Sequence, residues 1–81
     1  MNNLDLKNKL LKDLVKKRTL NSKELLKIFG GNKEELYYTA KEFKKLDYAK
    51  SLFASSEGVE NMHIMHEGKV KYKSGGFKNE S

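Results

Sequence analysis

The sequence predicts a small α+β domain: three helices that bundle around a helix-turn-helix, followed by a two-stranded β-hairpin. Three observations carry that prediction. Apolar residues recur at three- and four-residue spacing over three stretches before Lys50. Two of those stretches open on a capping signal, and a glycine pair separates them. After Lys50 the helical period gives way to strand-like alternation. At 81 residues the chain has room for one domain. We expect it over residues 1–74, with 75–81 a flexible C-terminal tail unless Phe77 folds back onto the core.

In the first helix Leu10, Leu11, Leu14 and Val15 form the apolar stripe, and Leu4 and Leu6 extend it upstream. Lys7, Lys9, Lys12, Lys16 and Lys17 fill the other faces. Asn3 is the expected cap, and the helix should end near Lys17 or Arg18, where cations complement the negative end of the helix dipole. The second helix opens at Asn21, with Glu24 three residues on and Leu20 and Leu25 flanking them as a hydrophobic staple. Leu25, Leu26, Ile28 and Phe29 supply its apolar face, and Gly30 stops it, because glycine takes the left-handed conformation without steric cost. Asn32 and Glu35 make a second capping box, and Leu36, Ala40, Phe43 and Leu46 form the stripe of a third helix reaching Asp47 or Tyr48. Two helices joined by Gly30-Gly31-Asn32 have the arrangement of a helix-turn-helix. Leu14, Phe29, Leu36 and Phe43 are the expected core.

Residues 51–56 read as a strand, 57–61 as a turn and 62–65 as the returning strand. His66 to Lys73 fits two structures. Lys69-Val70-Lys71-Tyr72-Lys73 alternates like a strand, and the same stretch can form a short helix starting near His66.

Element order and three local features resemble a winged helix-turn-helix domain of the small bacterial and phage type, over roughly residues 4–73. The features are the capped helix pair around Gly30-Gly31-Asn32, the segment Leu36-Tyr37-Tyr38-Thr39-Ala40-Lys41-Glu42-Phe43-Lys44-Lys45-Leu46-Asp47-Tyr48, and Ile64-Met65-His66-Glu67-Gly68-Lys69. The middle segment is similar to a recognition helix, and the last to the family's strand, threonine, Glu-Gly sequence. His66 stands near the expected threonine, and Asp47-Tyr48 occupies the place of the usual glycine before the wing. The resemblance implies a transcriptional or mobile-element regulator.

Composition narrows the alternatives. The hydrophobic share of 37% is low and the charged share of 35% high, but the apolar residues are patterned, so a folded chain is expected. There is no cysteine, which removes disulfides, thiolate zinc sites and thiol nucleophiles. His63 and His66, with only Glu60 and Glu67 near, give no metal site, since a strand through Met62-His63-Ile64 points them to opposite faces. Gly30-Gly31 and Gly75-Gly76 lack the lysine-serine context of a phosphate loop. No serine has a plausible His-Asp partnership, and a domain this small rarely holds a substrate pocket. We therefore expect no enzyme activity, cofactor or small-molecule substrate. No apolar run approaches the ~20 residues of a membrane span, so a cytoplasmic protein is expected.

Net charge is +6, carried by 17 basic and 11 acidic residues. Residues 1–20 hold six basic and two acidic groups, 21–50 seven and five, and 51–81 four and four. The excess on the first two-thirds favours a polyanion such as double-stranded DNA. Against sharp base readout, Arg18 is the single arginine. On a helical wheel Glu34, Tyr38, Lys41 and Lys45 oppose the stripe of the third helix, with Lys33, Tyr37 and Lys44 along one flank. Lys41, Lys44 and Lys45 would neutralise phosphates, Tyr37 and Tyr38 would bond phosphates or pack on sugars, and Lys23 and Lys27 of the second helix would touch the flank of a major groove. Lys69, Lys71 and Lys73 join them only if their segment is extended. The competing expectation is a protein-interaction or homodimer module on the same fold, with the lysines serving solubility.

Overall fold

The computed structural model describes residues 3–54 and 58–78. Their order is α1 (Asn3–Lys17), β1 (Thr19–Asn21), α2 (Ser22–Ile28), α3 (Lys33–Lys45), β2 (Ala49–Phe53), β3 (Val59–Ile64) and α4 (His66–Lys73). The class is α+β: four helices and a three-stranded antiparallel sheet in the order β1-β3-β2.

The leucine stripe of α1 is the floor of the core. Leu6, Leu10, Leu11 and Leu14 are buried, and Leu4 and Val15 are half-buried at its margins. Asn3 is the first residue of the helix rather than the cap before it. The chain leaves α1 through Arg18 at φ 72°, with the Arg18 N–H donating to the Leu14 carbonyl at 2.7 Å. It then enters β1, which the sequence reading missed. Three residues with one buried leucine are too short to register as alternation, and only pairing reveals the strand: Leu20 lies opposite Met62 of β3.

Both capping signals form, one only in part. Asn21 Oδ1 accepts from the Glu24 N–H at 2.9 Å, and the Asn21 N–H donates back to Glu24 Oε1 at 3.1 Å. At α3 the Glu35 N–H donates to Asn32 Oδ1 at 3.1 Å, but the reciprocal bond does not form. The Asn32 N–H is taken by the Phe29 carbonyl at 3.1 Å, because the intervening turn is so tight, and the Glu35 carboxylate accepts from Asn32 Nδ2 at 3.4 Å instead. In that turn Gly30 sits at φ 61°, with the Gly30 N–H on the Lys27 carbonyl and the Gly31 N–H on the Leu26 carbonyl.

Helix α3 buries Leu36, Thr39, Ala40 and Phe43. Leu46 departs from the expected stripe: it caps the helix, where the chain turns away, and is 45% exposed. The strands also begin earlier than the sequence indicated. β2 starts at Ala49 and β3 at Val59, so Val59, Glu60 and Asn61 belong to a strand and not to the turn. Their pairing decides this, since Leu52 lies opposite Asn61 and Phe53 opposite Val59 across a bulge. The expected strand end at Ser55-Ser56 and turn residue Glu57 lie outside the described residues.

His66 to Lys73 is helical, which takes Lys69, Lys71 and Lys73 off the hairpin. The helix starts at Met65 as cap, one residue before His66. Gly68 lets it approach the sheet: a Cβ there would strike the Tyr48 carbonyl and come within 2.7 Å of Ile64 Cδ1. Past α4 the chain returns. The Phe77 N–H donates to Asn8 Oδ1 at 2.7 Å, and Asn8 Nδ2 donates to the Phe77 carbonyl at 2.9 Å. The Phe77 ring packs 5.5 Å from Phe43 and 5.6 Å from Tyr48. Phe77 is thus held to the body of the protein.

Candidate nucleic-acid interface

Burying Leu36, Ala40 and Phe43 turns the opposite face of α3 outward. Glu34, Tyr38, Lys41 and Lys45 are exposed there, Tyr38 at 63%. Tyr37 is not an outward residue. It is half-buried, with its ring edge-on to Phe53 of β2 at 5.5 Å and to Tyr38 at 5.7 Å. The amine of Lys41 stands 5.2 Å from the centre of the Tyr37 ring, and that of Lys44 5.5 Å from the Phe53 ring. These contacts set the two amines against aromatic rings at the seam of α3 and β2 while both residues stay exposed.

Tyr37, Lys41, Lys44, Lys45 and Phe53 together line a shallow groove of about 450 Å³ between α3 and β2. A second groove, of about 390 Å³, continues past the end of α3 and is lined by Lys44, Asp47, Ala49, Lys50, Ser51 and Met65. Lys44 belongs to both. Lys50 and Phe53 were not foreseen as site residues. The signal was faint: strand alternation puts Ala49, Ser51 and Phe53 on one face and Lys50 on the other, and nothing in the sequence says that the first face meets α3.

The remaining predicted residues lie elsewhere. Lys33 lines a separate hollow with Leu26, Leu36 and Val59. Lys27 lines another, between α1 and α2, with Lys9, Asp13 and Lys17. Lys23 is exposed on α2 and lines none of these. Lys71 of α4 stands 5.2 Å from the Phe77 ring, where it packs on the C-terminal segment.

Pairing separates the cations further. Lys7 bonds Glu42 at 2.6 Å, Lys17 bonds Glu24 at 2.7 Å and Lys9 lies 3.9 Å from Asp13. The hydrogen bond from Lys17 holds the Glu24 carboxyl below its ordinary range, with help from the Asn21 N–H, and the same bond raises Lys17. Among the described residues, Lys41, Lys44, Lys45 and Lys50 have no carboxylate within ion-pair distance. No group of three potential metal ligands occurs among the described residues. His63 Nδ1 shares a 2.6 Å hydrogen bond with the Thr19 hydroxyl, a contact between neighbouring strands. No described helix is long and apolar enough to cross a membrane.

A scan against protein-family models finds no match for this chain, and searches of curated proteins and of solved structures find none either.

Proposed function

We propose that the chain is a winged-helix DNA-binding protein that acts through α3 against double-stranded DNA, as a transcriptional or mobile-element regulator in the cytoplasm. In this reading α2 and α3 are the helix-turn-helix, the β2–β3 hairpin is the wing, and β1 closes the sheet behind it. The observation that carries the proposal is the cluster of Lys41, Lys44 and Lys45 beside the hairpin, exposed and without acidic partners among the described residues. Exposed cations along this shallow groove exchange their counterions for phosphates, which is the main source of affinity for duplex DNA.

The test is fluorescence anisotropy with a labelled random-sequence duplex, titrated across salt. The parent should bind with a dissociation constant of roughly 1–100 µM, weakening steeply with salt, and a Lys41/Lys44/Lys45 triple glutamate variant should not bind. A folded parent that fails to bind at low salt removes the proposal. A second reading, a protein-interaction or homodimer module, is favoured by the exposed apolar side chains Leu46, Leu52, Val70 and Tyr72, which are 41–53% accessible. Sedimentation analysis of the non-binding protein would then test for a second copy.

A further inference from the structure

The charge on α3 is divided between its two ends. Its first turn carries Glu34 and Glu35, and its last turn Lys44 and Lys45. Glu42, the acid in its second half, is tied to Lys7 of α1. Beyond the helix Lys50 joins the basic end through the groove it shares with Lys44, and Asp47 is the acid facing them there. The basic end therefore holds Lys41, Lys44, Lys45 and Lys50 against Asp47, a net of three positive charges before any partner arrives. The negative end of the helix dipole subtracts only about half a charge.

The side chains of α3 also lack the planar guanidinium and amide groups best suited to base recognition. Between Lys33 and Lys45 there is no arginine, asparagine or glutamine. Arginine gives guanine, and asparagine or glutamine gives adenine, a planar two-point contact; lysine also reaches guanine O6 and N7, but without that planar fork. Asn32, just before the helix, is committed to its cap. Lysine is a point charge, well suited to phosphate and weaker than arginine in fixing the orientation of a base. Glu34 could accept from a cytosine amine, but to do so it must pass between two rows of phosphates.

Resting on the DNA reading above, we infer that the duplex is held at the C-terminal half of α3 and the start of β2. One phosphate backbone tracks the two grooves along Lys41, Lys45, Lys44 and Lys50. The acidic first turn of α3 stays out of the major groove, and binding is nearly blind to sequence. Lys23, Lys27 and Lys33 lie outside this footprint, and Lys50 lies inside it.

The experiment is a salt titration of anisotropy with a random-sequence duplex and several defined duplexes, using single variants Lys44→Gln, Lys50→Gln, Lys33→Gln and Glu34→Gln. Thermal melting confirms that each is folded. Four phosphate contacts give a slope of log affinity against log salt near about −3.6, and loss of one lysine flattens it by about 0.9. The slope should flatten in Lys44→Gln and Lys50→Gln and hold in Lys33→Gln. Glu34→Gln should change affinity by no more than ~2-fold, and the defined duplexes should agree within ~10-fold, far below the ~10³-fold or more of specific binders. Lys33→Gln flattening the slope while Lys50→Gln does not would overturn the footprint, although the parent still bound DNA. So would strong preference for one duplex that Glu34→Gln abolishes. A parent that binds no duplex at all overturns the DNA reading and this inference with it.

Discussion

Helices α1 and α3 are both amphipathic and lysine-rich, yet among the described residues three of the five lysines on α1 are ion-paired and none of the four on α3 is. On α1, Lys7, Lys9 and Lys17 meet carboxylates, and two of those acids belong to other elements: Glu42 on α3 and Glu24 on α2. On α3, Lys41, Lys44 and Lys45 meet aromatic rings or solvent. A count along the chain puts the densest positive charge in residues 1–20, but part of that charge is neutralised by the folded neighbours of α1. Net charge read from sequence locates basic residues; only packing determines which of them still carry an uncompensated field. Exposed pairs of this kind contribute little to stability, so their larger consequence here is neutralisation.

The contrast is confined to the outer faces. Inward, Leu14 of α1 and Phe43 of α3 are both fully buried in one core. Truncating either removes apolar area and leaves a cavity, so Leu14→Ala and Phe43→Ala should each cost about 3–5 kcal/mol in urea denaturation. A variant within ~0.5 kcal/mol of the parent would mean that its helix does not share the core.

The same division governs how much was legible in the sequence. Leu14, Phe29, Leu36 and Phe43 were readable as core because helical periodicity and capping are local signals, repeated every turn. The strand at Thr19–Asn21 was not, because its existence depends on Met62 lying opposite Leu20 some forty positions away. In the candidate site the outward face of α3 was legible from the helical wheel. The half-burial of Tyr37 was not, since it depends on Phe53, and the pairing of Lys7 was not, since it depends on Glu42. Phe77 was readable only as a conditional, because a single aromatic after a glycine pair has no period to betray its destination.

That residue gives the next prediction, because it links the two helices being compared. Its backbone is bonded to Asn8 of α1, its ring lies against Phe43 of α3, and the amines of Lys7 and Lys71 stand 5.7 and 5.2 Å from the ring centre. Being half-buried, it should contribute less than a core phenylalanine, and Phe77→Ala should lower stability by about 1–3 kcal/mol. Asn8→Ala should reproduce part of that loss. If neither variant shifts the denaturation midpoint, the C-terminal segment is not attached in solution.

The ends of the two helices offer a smaller and more discriminating comparison. α1 leaves through Arg18 at φ 72°, and α3 through Asp47 at φ 61°. At Asp47 the N–H bonds the Lys44 carbonyl and the following Tyr48 N–H bonds that of Phe43, the same pattern that glycine serves at the end of α2. Neither residue adopts this conformation freely, but aspartate tolerates it better than arginine. Arg18→Gly should therefore stabilise by about 0.5–1 kcal/mol, and Asp47→Gly by about half that, measured by thermal melting. A larger gain at Asp47 would reverse the ranking and place the greater strain at the end of α3.

The smallest expected effect tests whether the pairing on α1 persists in solution. Glu24 is depressed chiefly by its hydrogen bond from Lys17, so its contribution to stability is complete above the ordinary carboxylate value of 4.5 and disappears as pH falls through the depressed value. Lys17 is raised by the same bond, so its contribution is complete below 10.5 and is lost as pH climbs through the raised value. Both losses are small because the pair is solvated, and salt should shrink them further. Lys17→Met should flatten the acid limb of the stability curve only in part, because the Asn21 N–H still favours the Glu24 anion. Glu24→Gln should flatten both limbs. If Lys17→Met matches the parent at every pH, Lys17 is as free as the lysines of α3, and the contrast between the two helices narrows to the Lys9–Asp13 pair within α1 and to Lys7 and Glu42, the more sheltered of the two bridges between elements.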